Sequence, residues 1–140
     1  MKIAIGCDHG GIDLKESVVS FLKESGCEVL DMGCNSHDSV NYPDFGNAVC
    51  KSVLANEADK GILICGTGIG MSMVANRYTG IRAALCHELF SARMSREHND
   101  SNVLCLGARI VGPGLALEIV KTWLETNFAG GRHQQRIDMF

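Results

Sequence analysis

The chain has 140 residues, 46% hydrophobic and 21% charged, a balance that fits one domain with its own core and excludes a disordered chain. Thirteen basic against 16 acidic side chains leave a net charge of −3, so a nucleic-acid surface, which rests on excess lysine and arginine, is not expected. No apolar run is long enough to span a membrane, and Asp8 and His9 break the first apolar stretch, which therefore does not read as a signal peptide.

In chain order, Lys2–Cys7 (KIAIGC) reads as a strand apolar on both faces and runs into Asp8-His9. Leu14, Val18, Phe21 and Leu22 recur at helical spacing and stop at Gly26. Glu28–Asp31 is a weaker strand, and Asp44–Asn56, rich in alanine and valine, reads as a helix. Gly61–Cys65 (GILIC) is a strand leading into Gly-Thr-Gly-Ile-Gly and a further helix. Ile81–Cys86 is a strand, Glu88–Glu97 a short helix, Val103–Leu106 a strand ending on Gly107-Ala108-Arg109, and Leu115–Asn127 an amphipathic helix. Strands alternating with helices, without repeats or linkers, predict a single α/β domain over 1–140 with a parallel sheet and right-handed crossovers. In such sheets ligands bind beyond the carboxyl ends of the strands, and polar and reactive residues follow each strong strand here.

Cys65 stands where a strand turns into Gly66-Thr67-Gly68-Ile69-Gly70. Glycines at alternate positions let successive N–H groups converge, and the next helix adds its positive end, so the turn suits an anion and favours a thiolate at Cys65. The competing reading is a tight turn around a structural cysteine. A nucleotide site is the other alternative. No Lys-Ser/Thr follows the loop and Met71 replaces the last glycine of G-x-G-x-x-G, although Glu88 lies where a ribose-binding acid would. The seven cysteines are odd in number and never spaced C-x-x-C, which fits a reducing cytoplasm rather than a disulfide framework, and no zinc ligand pair stands out.

Arg132 and Arg136, spaced i, i+4 after Gly130-Gly131, present two guanidinium forks to one side of a helical turn, as a phosphate needs. The bland alternative is a solvated terminus. Asp8-His9 pairs an acid with an imidazole at a strand end, a proton-moving combination near neutral pH. His98-Asn99-Asp100 follows a short helix, where a histidine is ordinarily surface.

Taken together, Gly6-Cys7-Asp8-His9, Asn41-Tyr42-Pro43-Asp44, Ile64–Gly70, His98-Asn99-Asp100, Gly107-Ala108-Arg109 and Gly130–Arg136 resemble the type B ribose-5-phosphate isomerases of the ribose/galactose isomerase family. The resemblance covers essentially the whole chain. It implies a Rossmann-like three-layer α/β/α sandwich with a five-stranded parallel sheet, and a homodimer or tetramer with active sites between subunits. It also implies a cytoplasmic sugar-phosphate isomerase of the pentose phosphate pathway, with no metal or other cofactor and neither nucleic acid nor membrane as partner. By the same resemblance Cys65 is the isomerising base, Gly66, Gly68, Ile69 and Gly70 line an anion hole assisted by Thr67, and Asp8 and His98 serve ring opening and hydroxyl contacts. Tyr42 and Asn99 lie beside the sugar, and His9, Arg109, Arg132 and Arg136 hold the phosphate. One branch of the family uses a glutamate just after the glycine loop; Met71 stands there and Cys65 is present, as in the cysteine branch. A six-carbon sugar phosphate, such as allose or galactose 6-phosphate, is the alternative substrate, and a non-catalytic phosphate- or nucleotide-binding module the alternative class.

Overall fold

The computed structural model describes all 140 residues. Strands β1 (Lys2–Cys7), β2 (Glu28–Asp31), β3 (Lys60–Cys65), β4 (Ala83–Leu85) and β5 (Val103–Gly107) form one all-parallel sheet in the order β2-β1-β3-β5-β4. Helices α1 (Ile12–Glu24), α2 (Tyr42–Leu54), α3 (Ile69–Ala75), α4 (Leu89–Glu97) and α5 (Pro113–Glu125) connect and cover the strands, and α6 (Arg132–Ile137) closes the chain.

Alternate strand residues point to opposite faces, and both faces are apolar, so helices must cover both. Ile3, Ile5, Cys7, Ile62, Ile64, Leu104 and Leu106 pack under α1, α4 and α5, where Trp123 is fully buried. Ala4, Leu63, Cys65, Val103 and Cys105 pack under α2 and α3. The result is the expected α/β/α sandwich. Helices of the connections running toward β2 lie on one face and those running toward β4 on the other, as right-handed crossovers require. The direction of winding reverses between β1 and β3, which opens a crevice beyond their carboxyl ends.

Several boundaries differ from expectation. The strand read at 81–86 is confined to Ala83–Leu85, because the Ile81 N–H donates to the Tyr78 carbonyl and the Arg82 N–H to the Asn102 side chain. The helices read from Asp44 and Leu115 start two residues earlier, at Tyr42 and Pro113; Pro43 and Pro113 occupy first-turn positions, where the missing N–H costs nothing.

A buried network fixes the connection from α4 to β5. Trp123 Nε1 donates to Ser101 Oγ (2.8 Å), Arg96 donates to Asp100 Oδ1 (2.9 Å) and to the Ser101 carbonyl, and Arg82 Nε donates to the Asn99 carbonyl (3.0 Å). Arg96 is only 7% exposed, and these bonds satisfy its guanidinium away from water. They also hold His98 and Asn99 in place.

Candidate active site

At the carboxyl rim, the Asp8 side chain accepts the Gly10 N–H (2.9 Å), which caps the short turn leading into α1. His9 Nδ1 accepts the Val40 N–H (3.2 Å), so in the neutral ring the proton sits on Nε2. Across the crevice, Cys65 ends β3 at 5% exposure, and its Sγ accepts the Gly68 N–H (3.1 Å). The N–H groups of Gly66 and Thr67 have no acceptor within the chain. The Ile69 N–H donates to Thr67 Oγ1 (3.3 Å). Sulfur, two free N–H donors and an adjacent imidazole thus share one rim.

Two glycines make this turn possible. Gly68 adopts φ +77°, and a Cβ there would lie 2.5 Å from Leu85 Cδ1. A Cβ on Gly107 would lie 2.7 Å from the carbonyl carbon and oxygen of Thr67. Backbone cannot yield as a flexible side chain does, so Gly107→Ala is expected to cost about 1–3 kcal/mol of stability. Because it pushes the Thr67 peptide directly, turnover is expected to fall even at temperatures where the variant stays folded, a split that urea unfolding and an activity assay would measure together.

The Tyr42 ring lies where a Gly70 side chain would begin, 2.8 Å from that position, and so stands over the loop. The Arg109 N–H donates to the Gly66 carbonyl (2.9 Å), and its guanidinium lies over Gly66 beside Gly10. Around this rim Ile69, Met73, Leu89, Phe90 and Ile110 are 42–67% exposed, a ring of large apolar side chains left in water.

The remaining expected residues lie elsewhere. His98 caps the carboxyl end of α4 and stacks on His133 of α6, with ring centroids 4.1 Å apart and planes 11° from parallel. The Ala129 N–H donates to the Glu97 carbonyl (3.0 Å), so the terminal segment is docked on the end of α4 rather than swinging on its glycines. Arg132 and Arg136 lie exposed on α6. All four belong to the amino end of the sheet, since Arg82, which precedes β4, holds the Asn99 carbonyl. From the Gly61–Val103 pair to the Cys65–Gly107 pair is four strand steps, about 13 Å. One chain therefore brings Asp8, His9, Tyr42, Arg109 and the Cys65–Gly70 turn together, and keeps His98, Asn99, Arg132 and Arg136 at the opposite end.

One reading is corrected and one residue is added. Glu88, the acid that kept a dinucleotide site open, caps α4: its carboxylate accepts the N–H groups of Phe90 (2.6 Å) and Ser91 (2.7 Å) and is not free for a ribose. His133 was not among the expected residues, although it lies between the two arginines. Partial desolvation, then the charges of His98, Arg132 and Arg136, lower it from the ordinary histidine value.

A sequence model described as Ribose/Galactose Isomerase matches residues 3–140. The chain belongs to the ribose/galactose isomerase family. It is 51% identical over 137 residues to ribose-5-phosphate isomerase B of Escherichia coli, covering 98% of this chain and 92% of that relative. It is 40% identical over 139 residues to D-erythrulose-4-phosphate isomerase of Pectobacterium atrosepticum, covering 99% and 91%. The structure of ribose-5-phosphate isomerase B from Clostridium thermocellum superposes with a TM-score of 0.98 at 55% identity, covering 99% of this chain and 94% of that one. Fold and family thus agree with the whole-chain resemblance of the motifs.

Proposed function

We propose that this isomerase interconverts ribose 5-phosphate and ribulose 5-phosphate in the cytoplasm, with Cys65 as the base. The observation that carries the reading is the Cys65 turn, where a sulfur that accepts the Gly68 N–H stands next to the free N–H groups of Gly66 and Thr67. Aldose–ketose isomerisation needs a base for a weakly acidic C–H and donors for the oxygen that becomes anionic. The Cys65 thiolate takes the proton from C2, and the enediolate oxygen draws on the Gly66 and Thr67 N–H groups. The thiol then returns the proton to C1 while the hydroxyl proton passes from O2 to O1.

The other residues fall into roles around that step. Asp8 and Tyr42 contact sugar hydroxyls, and His9 donates Nε2–H toward phosphate beside Arg109. His98 gives a proton to the ring oxygen when the furanose opens, with Asn99 beside the sugar. Arg132 and Arg136 clamp the phosphate.

Since one chain holds these groups at opposite ends of its sheet, the working site takes the rim of one subunit and the His98/Arg132 end of another. The ring of exposed apolar side chains around the Cys65 rim supports a homodimer closed over it.

The direct test is to incubate the protein with ribose 5-phosphate and follow ketose formation, with allose 6-phosphate and galactose 6-phosphate in parallel. Ribulose 5-phosphate as the favoured product supports the reading, and a higher kcat/KM on a six-carbon phosphate replaces the substrate. Arg132→Ala is expected to lower kcat/KM about ten- to 150-fold, the value of one charge-assisted contact. Inorganic phosphate should inhibit that variant far less than the wild type. Unchanged phosphate inhibition would move the clamp to Arg109 and His9.

A further inference from the structure

Lys15 of α1 is 2% exposed, and its ammonium meets four acceptors: Asp31 Oδ1 (2.8 Å) and Oδ2 (2.9 Å), the Cys34 carbonyl (3.0 Å) and Asn35 Oδ1 (2.8 Å). Burying a cation is costly, and an aliphatic side chain of the same length would fill the space without that cost. What the lysine adds is a fixed start for the segment that follows β2. Asp31 Oδ1 also accepts the Gly33 N–H (2.9 Å), so one carboxylate joins the lysine to the turn. From Met32 to Asn41 the chain has neither helix nor strand. Its first residues run on beside β1, the Met32 N–H donating to the Ile5 carbonyl (2.8 Å) and the Cys34 N–H to the Cys7 carbonyl (2.8 Å), while from Asn35 to Ser39 it is exposed, and it borders an open cleft of about 420 Å³ lined by Asp31–Ser36, Val40 and Phe45. At its far end the Val40 N–H donates to His9 Nδ1.

We propose that Lys15 is a positioning residue for the active site: by anchoring the segment from Asp31 to Asn35 it holds the Val40 N–H on His9 and so keeps the imidazole proton on Nε2, facing the substrate. A neutral histidine with its proton on Nδ1 would offer the phosphate a lone pair instead of a donor. The inference rests on the reading of His9 as a phosphate contact, while the tautomer itself is independent of any substrate.

The test compares Lys15→Met with the wild type. Asp31 is 39% exposed and remains solvated when the lysine is gone, so the variant keeps no stranded buried charge. Nitrogen-15 spectra of the histidine ring, taken at about pH 8.5 where imidazole is neutral, report which nitrogen bears the proton. In the wild type the His9 proton should lie on Nε2. In Lys15→Met the two tautomers should mix, and the KM for ribose 5-phosphate and the inhibition constant of inorganic phosphate should each rise about fivefold, the loss of one ordinary hydrogen bond, with kcat changed less than twofold. Asn35→Ala, which removes one surface tie, should show a smaller shift of the same kind and serves if Lys15→Met does not fold. An Nδ1–H tautomer in the wild type, or an unchanged tautomer in the folded variants, overturns the proposal. Mixed tautomers with unchanged KM support the positioning role and overturn instead the assignment of His9 to phosphate.

Discussion

Replacing Cys65 with alanine is expected to lower kcat by about 10²–10⁴-fold, the range that a positioned acid–base group contributes. Substrate binding should persist, because His9, Arg109 and the arginines of α6 are untouched. The substitution removes one sulfur from the layer under α2 and α3, and Gly68 loses only a weak acceptor, so the fold should survive. In deuterated water the wild type should exchange label into C2 of recovered aldose, and the variant should not. A Cys65→Ala enzyme retaining more than a few per cent of the wild-type rate would remove the thiol from the chemistry.

The second large effect is a gain. Cys65→Ala and Arg132→Ala subunits should each be nearly inactive alone, yet active when unfolded and refolded together. Random pairing in a two-fold dimer makes about half of the dimers mixed, each with one doubly damaged and one intact site, so about a quarter of wild-type activity should return. Relative to the Arg132→Ala parent, with its ten- to 150-fold loss, this is an increase of roughly 2.5- to 40-fold, and relative to Cys65→Ala one of at least about 25-fold. The expectation follows from the placement of the two groups at opposite ends of a sheet whose central strands run about 13 Å between those ends. If activity stays absent while mass spectrometry shows that subunits have exchanged, cysteine and arginine act from the same chain.

The carboxyl rim was legible because its signals are local. A strand of GILIC running into Gly-Thr-Gly-Ile-Gly needs no distant partner to be recognised, and Gly68 takes the positive φ that such a turn demands. The start of β4 was not legible, since Asn102 and Tyr78 set it through contacts that exist only in the folded sheet. The His98–His133 stack joins residues 35 positions apart, and the acceptors of Lys15 lie 16 to 20 positions away; no periodicity encodes either. Glu88 could have been read as a cap from its neighbours alone, because its partners are the next two N–H groups but one. The division of the site was implicit in the element order. Asp8 and Arg109 follow strands and Cys65 ends one, whereas His98 and Asn99 precede one, and a parallel sheet sends those two classes to opposite ends.

That division couples occupancy to assembly. On the proposed two-subunit site, a sugar phosphate gripped by the Cys65 rim of one subunit and the arginines of another would act as a crosslink, and binding that requires two chains would in turn favour their pairing. At a hundred times its dissociation constant such a ligand strengthens the pair by about 2.7 kcal/mol for each filled site. On dilution, specific activity should therefore decline with a midpoint set by substrate as well as by protein, so that a well-fed enzyme stays assembled at concentrations where a starved one falls apart.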